Sequence, residues 1–264
     1  MGRILLWFII YWIWLFLETE YRECSLTQAL NIYIYMFVRK MAESDERFVM
    51  IKPSHNIRKT LEEYGYPFKS KMHSKWVANF QKKGMTWAVK NYINEGEKEL
   101  FRPCPNILKY QFDESFKLKI SDMCCLKMKE EPINKWMEEN KKPYGILGIM
   151  AEEGGRRHDA QCLAFHNGKL KNFQPLAKVT HEWEKWFIDT YNIELCELYY
   201  EPYNFTRTGC KGCPFIPHLQ KELDTVQKYF PNERKQIEMI WKPVYDEYRR
   251  IGYRLTKEEQ TKLF

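Results

Sequence analysis

The stretch that best indicates the fold runs from Tyr144 to Arg157 and reads YGILGIMAEEGGRR. Its first half is apolar throughout, as is typical of a strand in a parallel sheet that is covered on both faces. Its second half follows at the carboxyl end of that strand, where open α/β sheets place their ligand sites. Glycines allow a ligand to approach the backbone closely, and arginines donate forked hydrogen bonds to phosphate or sulfate. We therefore expect an anion site here, with a charged turn leading into a helix as the alternative.

The rest of the chain alternates predicted strands and helices around this stretch. A second short, buried strand is predicted at Arg47–Lys52 (RFVMIK), just before Pro53. Apolar spacing, caps and breakers predict helices over Ile57–Tyr64, Lys75–Glu95 with a break near Gly84, Cys124 to about Asn140, His181–Tyr191 after Thr180, Pro217–Tyr229 and Asn232–Ile251. This alternation predicts an α/β domain over residues 1–215, with a parallel sheet flanked by helices, and a helical C-terminal extension over residues 216–264.

Four cysteines form the second informative pattern. Cys124 and Cys125 are adjacent, and Cys210 and Cys213 form a C-x-x-C with a glycine in the turn. Soft thiolates grouped in this way are what an iron–sulfur cluster needs, once the fold brings the two pairs together. A structural zinc ion is the alternative, although it usually takes two C-x-x-C pairs, and an adjacent pair strains a small tetrahedral site. Unrelated buried core cysteines are the remaining alternative.

Positive charges flank both cysteine pairs. Arg207 precedes the C-x-x-C, and Lys127 and Lys129 follow the adjacent pair. Cations beside a group of thiolates offset its negative charge and can bring an anionic substrate close to it. We therefore count Lys129 and Arg207 among the candidate substrate-binding residues, although chance placement in a lysine-rich chain would explain either one alone.

The composition bounds the class of protein. The chain has 264 residues, of which 44% are hydrophobic and 16% aromatic, enough for one large α/β domain or for one domain with a helical appendage. It has eight cysteines and no evident cleavable secretory signal, which indicates a reducing compartment and a cytoplasmic location. The net charge of +7 suits an anionic ligand such as a nucleotide and is compatible with nucleic acid.

The N-terminal sequence is unusually apolar. The run from Ile4 to Leu17 reads ILLWFIIYWIWLFL and is short for a membrane span. We interpret it as a core helix followed by a strand, with a membrane anchor as the less favoured alternative. A membrane is therefore not expected among the partners.

Taken together, these stretches resemble the phosphoadenosine phosphosulfate reductase family, which has the adenine-nucleotide α-hydrolase-like (PP-loop) fold. The matching stretches lie in order between about Arg47 and Phe215 and read IKPSHNIRKTLEEYGYPFKSKMHS, FKLKISDMCCLKMKEEP, GIMAEEGGRR, NFQPLAKVTHEW and RTGCKGCPF. Their layout is most similar to that of phage- or mobile-element-borne members of the family.

The resemblance implies a site and a chemistry. The ligands that it implies for a [4Fe–4S] cluster, with zinc as the alternative, are Cys124, Cys125, Cys210 and Cys213. It also places Glu153, Arg156 and Arg157 where the family contacts nucleotide and sulfate. The implied activity is that of an oxidoreductase or sulfurtransferase that acts on an adenine nucleotide or sulfonucleotide, with a thioredoxin-like protein as electron donor.

The chain departs from the family pattern in two places. The Ser-Gly-Gly-Lys-Asp-Ser-like loop that cradles phosphate after the first strand is missing, and Trp14–Tyr21 (WLFLETEY) resembles the second strand. We therefore expect an N-terminally incomplete fold. No cysteine follows Cys213, so the thiol nucleophile of the family's reductases has no counterpart. A catalytically inactive binding module, stabilised by a cluster or by zinc, is accordingly the alternative function.

Overall fold

A computed structural model of the chain describes residues 29–53, 56–97, 102–154, 157–205 and 209–257. The apolar run Ile4–Leu17 and the strand expected at Trp14–Tyr21 lie outside the described residues. So do two of the candidate site residues, Arg156 and Arg207. No helix in the described part of the chain is both long enough and apolar enough to cross a membrane.

The described elements are mostly helical. The helices are α1 (Ala29–Ser44), α2 (Ile57–Tyr64), α3 (Lys71–Lys83), α4 (Trp87–Tyr92), α5 (Met123–Cys125), α6 (Glu131–Glu139), α7 (His181–Tyr191), α8 (Leu219–Tyr229) and α9 (Pro231–Ile251). A π-helical segment, Leu126–Glu130, joins α5 to α6, and 3-10 turns occupy Asn106–Phe112, Ala151–Glu153 and Glu197–Tyr199. The strands are β1 (Gly145–Ile146), β2 (Leu163–His166) and β3 (Lys169–Phe173).

The sheet is small and open, and its described strands lie in the order β1-β3-β2. β1 runs parallel to β3, with Ile146 opposite Phe173, whereas β2 and β3 form an antiparallel hairpin. The α/β class and the parallel pairing of the apolar stretch are therefore confirmed, together with a helical C-terminal region. The predicted strand over Tyr144–Ala151 is shorter in the structure. Its last hydrogen bond to β3 runs from Leu147 N–H to the Phe173 carbonyl at 2.9 Å, and the chain then leaves β3.

The predicted strand at Arg47–Lys52 was wrong. This segment has no regular secondary structure, and Val49 is 42% exposed. A strand needs a neighbour for its backbone hydrogen bonds, and no strand among the described residues pairs with it. Its side chains instead line an apolar cavity of about 610 Å³ together with Trp136 and Met137.

The helices were predicted well where the local sequence carries both caps and periodicity. Helix α2 has the predicted bounds, with the Asn56 side chain accepting a hydrogen bond from Lys59 N–H and Gly65 ending the helix. Helix α7 also has the predicted bounds, and Thr180 caps it by accepting from Trp183 N–H at 3.2 Å. The break expected near Gly84 separates α3 from α4.

The described residues fall into two compact units. The first, which we call the strand unit, is formed mainly by Asn31–Lys52 and Glu131–Thr208. The second, the cysteine unit, is formed mainly by Pro53–Glu130 and Gly209–Phe264. Buried side chains form a core in each; in the strand unit they include Ile34, Val38, Phe187 and Leu198, and in the cysteine unit Val77, Leu108, Leu223 and Trp241. The boundary expected after residue 215 stays a prediction.

Candidate functional site

All four candidate cysteine ligands lie in the cysteine unit. The adjacent pair, Cys124 and Cys125, sits in the short helix α5, and the sulfur-bearing side chain of Cys124 is buried. The chain enters α5 through a parallel bridge, in which Ser121 N–H donates to the Tyr66 carbonyl at 2.8 Å. The Ser121 hydroxyl then accepts from Met123 N–H at 3.1 Å, which fixes the start of the helix. The position of the adjacent pair is thus set by the segment around Tyr66.

The two lysines that follow the pair lie in the π-helical segment and face different neighbours. The Lys127 ammonium lies over the Tyr64 ring, 5.0 Å from its centroid. Burial raises the pKa of both the Cys124 and the Cys213 thiol, and the Lys129 charge partly offsets that rise. Residues two apart on a helix point in different directions, which is consistent with these different neighbours.

The C-x-x-C forms a tight hydrogen-bonded turn. Cys213 N–H donates to the Cys210 carbonyl at 2.9 Å, and Ile216 N–H donates to the Cys213 carbonyl at 2.9 Å. Gly212 lies in the left-handed region with φ of 58°, which favours glycine. Two successive turns therefore present Cys210 and Cys213 from the same short loop.

The thiols of the two cysteine pairs influence one another's ionisation. Burial raises the pKa of the Cys124 thiol well above its usual range, and the charges of Cys210, Cys125 and Cys213 raise it further. Burial is also the main cause of the raised pKa of the Cys213 thiol, and the charges of Cys210 and Cys125 raise it further. A hydrogen bond from Phe215 N–H and the charge of Lys129 partly offset this rise. Each thiolate therefore disfavours ionisation of the other thiols, and a positive charge among them would stabilise all the thiolates.

The donor set is chemically suited to a metal or a cluster. The seven cysteines in the described residues carry thiols; the eighth, Cys24, lies outside those residues. The two motifs contribute two thiols each, and four thiolates are the soft ligand set that iron–sulfur centres use. Within the described ranges, however, no three or more His, Cys, Asp or Glu side chains are closed around a point where they could hold an ion.

A buried ion pair supports the cysteine turn, and sequence reasoning missed it. Lys211, the second residue of the C-x-x-C, forms a salt bridge with Glu233 in the first turn of α9. Both side chains are only 3% exposed. A lysine inside the turn was visible in the sequence, but its partner could not be inferred from local pattern because long-range pairing carries no sequence periodicity.

Two of the predicted anion-binding residues, Glu153 and Arg157, lie in the strand unit and bond to each other. Glu153 ends a 3-10 turn after β1, and its carboxylate accepts from Arg157 Nη1 at 2.5 Å. Both side chains are partly exposed. Gly154 between them has φ of 71° and open space where a Cβ would lie. The Arg157 guanidinium therefore already holds a carboxylate where a phosphate or sulfate oxygen was expected.

A further acidic residue at this strand end was not predicted. The Glu152 carboxylate accepts from His181 N–H at 2.6 Å, at the first residue of α7. A carboxylate in this position satisfies a helix N-terminus in the way that a bound anion does. Ala151 N–H also donates to the Ala177 carbonyl at 3.2 Å, so the stretches GIMAEEGGRR and NFQPLAKVTHEW are adjacent.

The described fold defines an α/β protein with a small open sheet, and its most distinctive feature is a group of four thiols presented by two sequence-distant pairs. The chain belongs to the family of the phosphoadenosine phosphosulfate reductase domain, whose model matches residues 37–216. That range includes both cysteine pairs and the strand end, and it ends before α8 and α9. Neither a search of curated proteins nor a search of solved structures gave a match.

Proposed function

We propose that the chain is an iron–sulfur member of the phosphoadenosine phosphosulfate reductase family that acts on an adenylyl or phosphosulfate nucleotide, or transfers sulfur to an adenylylated substrate. Cys124, Cys125, Cys210 and Cys213 would hold a [4Fe–4S] cluster. The observation that carries the proposal is that both cysteine pairs fold into one compact unit, although residues 126–209 separate them along the chain.

The residues around the thiols have distinct roles in this proposal. Lys129 would supply positive charge beside the sulfurs, where it offsets thiolate repulsion and attracts an anionic group of the substrate. A bound cluster would add a fixed charge that polarises sulfur chemistry nearby. In the strand unit, Arg157 would bind a nucleotide or sulfate oxygen by exchanging its bond to Glu153, and Arg156 and Arg207 remain candidates for the same task.

The cellular setting follows from the thiol chemistry. We propose a cytoplasmic location, because the group of thiols must stay reduced to hold a metal centre. If the reaction is reductive, a thioredoxin-like protein would supply the electrons.

Anaerobic reconstitution with iron and sulfide tests the cluster. We expect a brown protein with a visible sulfur-to-iron absorption band and about four iron atoms per chain. Cys213→Ser should abolish the band, whereas Cys162→Ser should keep it, because Cys162 is an exposed cysteine of the strand unit. A colourless protein that holds one zinc ion per chain would contradict the proposal.

A second candidate function is favoured by the ion pair between Glu153 and Arg157. An Arg157 side chain that already pairs with a carboxylate is what a catalytically inactive module would show. Such a module would keep a cluster or zinc only for stability and would bind a partner, nucleic acid included.

Calorimetry with ATP, adenylyl sulfate and phosphoadenosine phosphosulfate separates the two functions. Binding of any one of them, weakened by Arg157→Ala but not by Lys185→Ala, supports the enzyme, since Lys185 forms an exposed ion pair with Asp189 in the same unit. No binding of any of the three would favour the inactive module.

A further inference from the structure

Helix α9 presents a row of buried aromatic side chains to the cysteine turn. Trp241, Tyr245 and Tyr248 are spaced four and three residues apart, so they lie on one face of the helix. All three are buried. Large aromatic residues with a polar end are buried when that end finds a hydrogen-bond partner, and here the partners lie on a single loop.

Each of the three donates to a backbone carbonyl of the turn. Trp241 Nε1–H donates to the Lys211 carbonyl at 2.8 Å, and the Tyr245 hydroxyl donates to the Gly212 carbonyl. The Tyr248 hydroxyl donates to the Pro214 carbonyl at 2.9 Å. A tight turn cannot satisfy these carbonyls within a helix or a sheet, so bonds from α9 fix the path of the backbone that carries Cys210 and Cys213.

The Tyr248 hydroxyl makes a second bond that reaches toward the other cysteine pair. It accepts from Lys69 N–H at 2.8 Å. Lys69 follows Tyr66 by three residues, and Tyr66 is bridged to the segment that leads into α5. One hydroxyl therefore bonds both the loop after the C-x-x-C and the segment that positions Cys124 and Cys125.

We propose that α9 is a positioning element for the four-cysteine site, with the Tyr248 hydroxyl as the link that fixes the two cysteine pairs relative to each other. Trp241 and Tyr245 hold the C-x-x-C turn against the helix, and the buried pair of Lys211 and Glu233 anchors it near the helix start. The inference rests on the proposed function in treating the four cysteines as one site. It assigns a role to a helix that lies beyond the range of the family match.

The hydroxyls can be removed one at a time with little change in shape. Tyr245→Phe and Tyr248→Phe each delete one hydrogen-bond donor to the turn. Tyr253→Phe is the matched control. The Tyr253 ring packs against Tyr248, but among the described contacts its hydroxyl bonds to neither cysteine loop. Hydrogen exchange on the metal-free protein reports the turn directly. We expect exchange of the amides at 209–216 to quicken about tenfold in both variants and to stay at the wild-type rate in the control.

The linking role makes a sharper prediction. The Lys69 amide should also exchange about tenfold faster in Tyr248→Phe but not in Tyr245→Phe, since only Tyr248 accepts from it. In the reconstituted protein, a chelator should remove iron faster from Tyr248→Phe than from Tyr253→Phe.

The outcomes separate this inference from the proposed function. Unchanged exchange at 209–216 in both tyrosine variants would overturn the positioning role, and an unchanged Lys69 amide in Tyr248→Phe would overturn the link. If the wild-type protein takes up no iron, the cluster proposal fails, while the exchange rates of the metal-free protein still decide whether α9 positions the turn.

Discussion

The cysteine unit and the strand unit hold their candidate functional groups in different ways. In the cysteine unit, buried side chains from distant parts of the sequence fix the backbone of the C-x-x-C turn, as Trp241 does for the Lys211 carbonyl. In the strand unit, Glu153 and Arg157 bond to each other across one short turn and remain partly exposed. The first arrangement fixes the position of the functional groups. In the second, a ligand could replace the bond between Glu153 and Arg157.

The two units also differ in the charges of their candidate functional groups. The thiols of the cysteine unit repel one another once ionised, so the site gains stability when positive charge enters it. At the strand end Arg157 already pairs with Glu153, so an anion that binds Arg157 would have to compete with that carboxylate. Under the proposed function, a metal centre would therefore bind at a site that is already positioned, whereas a nucleotide would have to reorganise the strand end.

The largest effect is expected from breaking the buried ion pair. Lys211→Met leaves the Glu233 carboxylate buried without its cation and should lower the free energy of unfolding by about 3–5 kcal/mol. The double variant Lys211→Met with Glu233→Leu should recover most of the loss, because neither charge is then buried alone. Urea titration measures both. A single variant as stable as wild type would show that the pair does not anchor the turn.

A matched pair of glycine substitutions compares the two units directly. Gly212→Ala places a Cβ against the Ile237 and Tyr245 side chains, in a residue with positive φ, and should cost about 3 kcal/mol. Gly168→Ala, in the turn between β2 and β3 of the strand unit, meets open space at a similar φ and should cost about 1 kcal/mol. The midpoints of urea unfolding give the comparison. Equal losses would contradict the tighter packing that we assign to the cysteine turn.

Acid should destabilise the cysteine unit through His73. Burial lowers the pKa of His73 from 6.5 to about 4, and the neutral ring accepts from the Tyr92 hydroxyl while donating to Gln111. The unfolded chain takes up this proton first, so the contribution is complete above pH 6.5 and is lost as the pH falls toward 4, by roughly 3 kcal/mol.

Unfolding free energies at about pH 7 and about pH 4 check this pH dependence. His158→Gln, at an exposed residue of the strand unit, should keep the wild-type pH dependence, and His73→Gln should reduce it. A dependence that persists unchanged in His73→Gln would assign the acid sensitivity to other groups.

The smallest effect on stability is expected at the strand end. Glu153→Gln removes a partly exposed ion pair and should change the free energy of unfolding by less than about 1 kcal/mol. It should nevertheless tighten the binding of sulfate or adenylyl sulfate, because the Arg157 guanidinium no longer has to leave a carboxylate. Calorimetry with each anion tests this, and weaker binding than wild type would show that Glu153 itself contacts the ligand.

Much of the helical structure could be predicted from local sequence. The bounds of α2 and α7 follow from apolar spacing and from residues such as Thr180 and Gly65 that begin or end a helix. Strands were harder, because a strand exists only where another strand accepts its hydrogen bonds. The apolar residues of Arg47–Lys52 fit a strand, yet the described residues supply no partner for them.

For the candidate site, the sequence predicts which residues are ligands but not which contacts support them. The spacing of Cys124, Cys125, Cys210 and Cys213 makes them the candidate metal ligands, since ligand chemistry is a local property, and that assignment stays a prediction. The bonds from Tyr245 and Tyr248 depend on how α9 packs, which no short motif encodes. The spacing of these tyrosines on one helix face can be recognised in the sequence, but the same spacing is typical of residues that simply pack in a hydrophobic core.

X-ray absorption at the iron and zinc edges of protein purified without oxygen tests the central claim most directly. The account predicts iron bound by sulfur with further iron atoms close by, and the loss of this signal in Cys213→Ser but not in Cys162→Ser. Zinc surrounded by four sulfurs at about 2.3 Å would contradict the cluster and leave a structural zinc module in its place.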